Sequence, residues 1–374
     1  MPTSLLLSVN IARDKEIERI KSRLLSNGQS SAIIGQNGSG KTSLMQYFAD
    51  EKRRYSLFGN EGQRLLISYI DASILGDSAI QSEFWEKAFF PIFEASSSKH
   101  FGESINKAYR TCKDEGFCLR KVDPLICQMQ KEKWRLVFLI DEFDSFRDKP
   151  QRDIIELLGG LRSLASRCYG TLSLIISCRQ PLIRLFQREL ISNMRGSPFF
   201  NIFEEIYLRP IANENVGQFM AGGLKFFSPE DNDFIIELAG GHPSLLKTAT
   251  SSLSDLYRDR RDPQGRREEV ERIAIKRVQQ LMADTWENWP SEFRSIFQII
   301  ARSDRLRSKK YGLNGINLNE AMKYLSNRKD ELWELEKLGF IVEDPQCPIG
   351  WKIRSLGFWL WFMEELNQCK YEDE

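Results

Sequence analysis

The chain has no long hydrophobic run. No stretch of its 374 residues approaches the ~18 apolar residues of a membrane span, and the opening MPTSLLLSVN lacks the basic segment of a secretory leader. A soluble, cytoplasmic protein with no membrane partner is the expectation. There is also no excess charge of one sign. Lys and Arg number 53 against 52 Asp and Glu, a net +1, so any patch for nucleic acid must be local. No C-x-x-C pair occurs among the seven cysteines, which argues against disulfides and zinc. Cys112, Cys118 and Cys127 with His100 match no usual ligand spacing and read as incidental thiols. No disordered or low-complexity majority is expected at 41% hydrophobic and 28% charged residues, and the length suits two or three domains.

What is present is GQNGSGKT, Gly35 to Thr42, behind the apolar run SAII and ahead of a helical pattern beginning TSLMQYF. Strand, G-x-x-x-x-G-K-[ST] and helix in that order form a phosphate-binding loop. Gly35, Gly38 and Gly40 let the backbone of Gln36, Asn37, Ser39 and Ser43 curl so that N–H groups and the helix dipole meet phosphate oxygens. Lys41 would reach the β- and γ-phosphates of ATP or ADP, and Thr42 would offer its hydroxyl to Mg²⁺.

A second anchor for the metal should end an apolar strand. RLVFLIDEFD supplies it: Leu136 to Ile140 deliver Asp141 as the Mg²⁺ partner, and Glu142 as the acceptor of a proton from the attacking water. Asp144 is either a further acid of the site or, as is commoner just after a strand, a solvated turn or cap. A third strand, Thr171 to Cys178, ends in Arg179, either a sensor of the γ-phosphate or an ordinary surface arginine. Leu65 to Ser73 and Glu205 to Ile211 supply two further strands. With helices between them, the expectation is an α/β fold: the three-layer αβα parallel sheet of a P-loop NTPase, ASCE/AAA-like, over residues 1–205.

Helical patterns replace strands after Pro210, a lid domain over 206–282. Ser228, Pro229 and Asp231 start one helix and Gly240 ends it. GGHP then forms either a tight connection or a corner resting on the nucleotide base. Arg258 to Arg272 reads as an exposed turn or a domain boundary. Residues 283–374 show three helical patterns, a hairpin (FIVED and GWKIR around PQCPIG) and a closing apolar helix, which together make a winged helix. Its recognition helix, Ser326 to Leu338, sets Arg328, Lys329 and Lys337 against Asp330, Glu331, Glu334 and Glu336, a poor match to phosphates. The basic stretch Arg302 to Lys310 is either a solvated loop or a contact for nucleic acid. Within the segment 74–133, Phe84, Trp85, Phe89 and Phe90 suggest an amphipathic helix facing the core.

The ordered set resembles the STAND class of P-loop ATPases, which includes the NACHT and NB-ARC switches, over almost the whole chain. The residues carrying the resemblance are ARDKEIERI, GQNGSGKTSL, FLIDEFD, Arg179, GGHP and LEKLGFIVED with IRSLGFWLWFMEEL. It implies that Arg13 and the residues after it run past the adenine, that Pro243 lies beside it, and that Arg179 is the sensor. It also implies a slow ATPase acting as a molecular switch in prokaryotic antiviral defence or stress signalling. Its partners would be further copies of itself or a separate effector or sensor, since no repeat array or effector domain flanks the core. The alternative is a DNA-handling AAA-type ATPase similar to origin-recognition or transposition-regulator proteins, with the winged helix on DNA.

Overall fold

The computed structural model describes residues 13–77, 80–96, 101–185, 199–220, 226–259, 262–304, 307 and 316–372. By their contacts these residues form two bodies, one of 13–35 with 41–208 and the other of 36–40 with 209–372.

The first body runs α1 (Asp14–Asn27), β1 (Ser30–Ile34), α2 (Lys41–Ala49), α3 (Arg54–Phe58), β2 (Leu65–Asp71), α4 (Ile80–Ser96), α5 (Glu103–Asp114), α6 (Leu119–Lys131), β3 (Arg135–Asp141), α7 (Gln151–Arg167), β4 (Leu172–Cys178), α8 (Leu182–Leu185) and β5 (Phe203–Tyr207). Its five strands are all parallel, in the order β2-β3-β4-β1-β5. The two-residue period of a strand sorts the side chains between two layers of helices. Val137 and Leu139 join Ile17 and Ile20 of α1 and Leu44 and Phe48 of α2 in one core. Phe138, between them in sequence, meets Phe84, Trp85 and Phe89 of α4. Neither layer could be removed without exposing one face of β3, so the three-layer αβα fold follows from its unbroken apolar run.

Two expectations need correction here. The fifth strand lies at Phe203–Tyr207, not Glu205 to Ile211, because β1 offers only five pairing positions and Pro210 has no N–H to add to a ladder. In α4, Phe89 is buried but Phe90 is 51% exposed, since the buried face is built by Phe84, Trp85, Ala88, Phe89 and Ile92 at helical spacing, and Phe90, about 100° on from Phe89, falls outside it.

The second body contains α9 (Asn213–Phe219), α10 (Pro229–Ala239), α11 (Pro243–Arg258), α12 (Pro263–Asn288), α13 (Ser291–Ser303), α14 (Leu318–Ser326), α15 (Lys329–Leu338), β6 (Ile341–Glu343), β7 (Trp351–Ile353) and α16 (Leu356–Glu372). Ser228 caps α10 by accepting from Asp231 N, and Gly240 ends it in the left-handed region. Most of Arg258 to Arg272 is helix rather than exposed turn. The Asp262 side chain accepts from Gly265 N and starts α12, which continues unbroken past residue 282. Three helices, the antiparallel β6–β7 pair and α16 then close over an aromatic core in which Trp286, Trp289, Phe297, Phe340 and Phe362 pack edge to face or tilted. Of the basic stretch, Arg305, Lys309 and Lys310 lie outside the described residues. Arg307 is turned inward, donating to Ile353 O at 2.9 Å and paired with Glu237 and Asp304. No described helix is long and apolar enough to cross a membrane.

Candidate nucleotide site

The strand order decides which side chains meet. Because β4 lies between β1 and β3, the carboxyl ends of three strands stand side by side, with Ile34 level with Cys178 and Ile140 level with Ile176. Gly35 follows β1 and donates its N–H to Cys178 O at 3.0 Å, Arg179 follows β4, and Asp141 ends β3. This is the edge at which open α/β sheets bind ligands.

Lys41 opens α2, with Thr42 and Ser43 half-buried behind it. Lys41 is 5% exposed, and its ammonium donates to Gly35 O at 2.9 Å. Burial lowers its pKa, opposed first by the charge of Asp144, then by Glu142 and, more weakly, by Asp141. Asp144 is therefore a member of the site and not a solvated turn. A 3₁₀ turn over Phe143–Asp148 brings it back so that its carboxylate accepts the Arg179 N–H at 2.9 and 3.2 Å. Burial raises the Asp144 pKa despite the nearby Lys41.

Asp141 is 1% exposed and held by residues the motif does not mention. Tyr69 Oη, from β2, donates to its Oδ2 at 2.8 Å, while Ser177 Oγ, from β4, and Glu142 N donate to its Oδ1. A carboxylate has about four acceptor positions, so these three donors leave one. Burial, with the neighbouring charge of Asp141, pushes the Tyr69 pKa up, which keeps the phenol a donor. Glu142 sits at φ 49° and ψ 43°, the left-handed region, a conformation that costs a non-glycine residue roughly 1 kcal/mol or more. Its carboxylate is paired with Arg179 Nη2 at 3.3 Å.

The turn of the phosphate loop, 36–40, groups with the second body. Gln36 Nε2 donates to Leu338 O at 2.7 Å and Asn37 Nδ2 to Leu281 O at 3.3 Å. His242 Nδ1 accepts from Leu245 N at 3.4 Å, so its Nε2 carries the proton and donates to Asn37 O at 2.9 Å. Gly38, at φ +74°, could not carry a side chain here: a Cβ would fall 2.7 Å from Ser244 Cβ. Gly40, at φ +99°, has no atom of the described residues beyond its chain neighbours within 4 Å of where a Cβ would stand. Ser39 is buried, and its N–H donates to Gln36 O at 3.2 Å.

Of the two residues assigned to the base, Arg13 belongs to the first body, 5% exposed and paired with Glu16 at 3.2 Å. Pro243 belongs to the second, buried in the first turn of α11. Away from the site, Cys127 lies near Cys168 and Asp123 rather than joining Cys112 and Cys118 in a cluster. Asp123 is already paired with Arg167 at 3.0 Å, and burial pushes the Cys168 thiol up to about 11, which disfavours a thiolate ligand. His100 lies outside the described residues.

The residues fit a magnesium-bound nucleotide. Asp141 and Thr42 offer hard oxygen donors, and the space beside Gly40 is open. Among the described residues, Asp141, Glu142 and Asp144 outnumber the cations Lys41 and Arg179 around them, so a polyphosphate would need a divalent cation with it to enter this field.

No protein-family model matches the chain, and no curated protein does. Solved structures do. A Walker-type ATPase of Pyrococcus abyssi is similar at a TM-score of 0.61 and 16% identity, over 94% of this chain and 95% of that one. The ORC2 protein of Aeropyrum pernix, solved as ADPNP–ADP complexes, is similar at 0.53 and 15% identity, over 96% and 95%. The chain thus has the P-loop αβα ATPase fold.

Proposed function

We propose that this protein binds ATP with Mg²⁺, hydrolyses it to ADP and inorganic phosphate, and uses nucleotide occupancy to set the posture of its C-terminal body, as a DNA-handling ATPase of the AAA type. The observation that carries the reading is the buried Lys41 among three carboxylates of one strand end, directly after a glycine turn. A structural ion cluster would balance its charges, and among the described residues this one has three acids to two cations.

In this reading Lys41 neutralises the β- and γ-phosphate oxygens, with the N–H groups of the loop from Gly35 to Ser43 around them. Asp141 and Thr42 would hold Mg²⁺, which would supply the charge neutralisation that the phosphates need. Tyr69 and Ser177 aim the Asp141 carboxylate. Glu142 takes the proton of the attacking water, and Arg179 stabilises the charge that departs with the γ-phosphoryl group. Both roles require Arg179 to leave Glu142. Their pair is partly exposed and worth at most about 1 kcal/mol, so the exchange is easy. Arg13 and Pro243 stay assigned to the base.

Relay to the C-terminal body would run through Gln36 and Asn37, whose partners Leu338, Leu281 and His242 come from three separate segments. Likeness to the ORC2 protein favours the DNA-handling setting over the STAND-type switch with further copies of itself or a separate effector, which rests on the sequence resemblance alone. Calorimetry with Mg-ATP and a phosphate-release assay test the chemistry. The parent should respond in both and Lys41→Ala in neither; an inert parent, or a variant equal to it, removes the reading. Duplex DNA affinity that falls steeply with salt tests the setting, and no binding at low salt removes it.

A further inference from the structure

The face that a winged helix usually turns to nucleic acid is here unlike a phosphate-binding surface. Between α14, α15 and the β6–β7 hairpin lies a groove of about 440 Å³, large enough for several side chains. Its apolar lining includes Met322, 52% exposed, Trp333, 55% exposed, and Trp351. Its charged lining is Glu336 and Glu343 against Lys329. Along α15, Asp330, Glu331, Glu334 and Glu336 outnumber Lys329 and Lys337; Arg354 lies in the field of Glu336, and Lys337 lies over the Trp333 ring, 3.1 Å from its centroid. That stacking shows the indole already holding a cation.

Two exposed large apolar side chains on one small surface are what a partner would cover. The charge beside them selects which partner. Phosphates would meet a net negative helix, whereas a peptide with an apolar anchor flanked by Lys or Arg would place its cations against Glu336, Glu343 and the indole faces. We propose that this groove docks a basic amphipathic segment of a partner protein, with Trp333 as the apolar anchor site and Glu336 and Glu343 as the charge readers. The proposal goes beyond ATP hydrolysis and does not depend on it.

The experiment uses the full chain without nucleotide and three labelled probes: a synthetic amphipathic helix of leucine and lysine, the same helix with glutamate for lysine, and a duplex DNA. Fluorescence anisotropy should show the lysine helix binding and the glutamate helix not. Trp333→Ala should weaken the lysine helix about 10-fold, as loss of a central aromatic anchor does. The double variant Glu336→Lys, Glu343→Lys should lose the lysine helix and gain the glutamate one, a gain that also shows it folds. The proposal is overturned if neither helix binds, or if both bind alike. It is also overturned if duplex DNA binds and is lost in Trp333→Ala, which would assign the face to nucleic acid.

Discussion

Two carboxylates in this chain, Asp231 buried and Asp144 half-buried, have opposite electrostatic fates. Asp231, at the start of α10, is fully buried and accepts from Tyr257 Oη at 2.5 Å and Arg267 Nε at 2.7 Å, with Arg266 at 3.5 Å. Burial alone would raise its pKa, but the Tyr257 and Arg267 hydrogen bonds and the two arginine charges hold it below the ordinary value. Asp144, beside Lys41, has its pKa raised, because burial there outweighs the attraction of Lys41 and Arg179. The first acid is matched by its surroundings and stabilises the fold. The second is held where the fold gains little from its charge.

The comparison breaks most visibly at the strand ends. Glu142→Gln keeps the size of the side chain and removes its basicity. If Glu142 accepts the proton of the attacking water, phosphate release should fall about 10²- to 10⁴-fold while calorimetry still detects Mg-ATP. A variant with parental turnover would demote Glu142 to a strained connector. Thermal stability should hardly move, since the Glu142 carboxylate is partly exposed and its pair with Arg179 is a weak one.

Asp231→Asn should do the reverse. Removing one partner of a buried ion pair costs about 3–5 kcal/mol, so unfolding of the C-terminal body should shift to markedly lower temperature. The pH signs also separate the two acids. The stabilisation from Asp231, whose pKa is lowered, is present above the ordinary carboxylate value of about 3.9 and lost as pH falls through its folded value. The raised pKa of Asp144 has the opposite sign: the fold gains as pH drops below that value, because the costly charge disappears. Asp144→Asn should therefore leave stability level or improved near neutral pH, whereas Asp231→Asn flattens the acid limb of the stability curve. Equal losses in the two variants would contradict the distinction.

How much of this could be read from the chain follows the same division between local and distant causes. GQNGSGKT and LVFLIDE specify their own backbone, so Lys41, Thr42, Asp141 and Glu142 were legible together with the three-layer fold. Asp144, three residues beyond Asp141, reads in the sequence as a turn acid sooner than as an acid of the site, because a turn acid is ordinarily solvated. What returns it to Lys41 is the 3₁₀ turn and the Arg179 N–H supplied by another strand. Ser177 and Tyr69 left no local signal, since their meeting at Asp141 requires β3 to lie between β2 and β4. In GGHP the resemblance singled out Pro243, while the bonds observed belong to His242, whose partner Asn37 is 205 residues away. The helix α12 hid behind Asp262 and Pro263, which punctuate a turn and also start a helix.

The finest test of the comparison is Tyr69→Phe, which deletes one oxygen. Asp141 accepts three hydrogen bonds from the protein, and Tyr69 supplies the only one of these three on Oδ2. If Asp141 were structural like Asp231, losing one donor of three would appear as lost stability of about 1 kcal/mol and nothing else. If it aims at a metal, freeing Oδ2 loosens the aim. The Mg²⁺ concentration needed for half-maximal turnover should then rise several-fold, with turnover at saturating Mg²⁺ close to the parent's. Titrating phosphate release against Mg²⁺ at fixed ATP separates the two cases, because a purely structural role lowers the melting temperature without moving the Mg²⁺ midpoint.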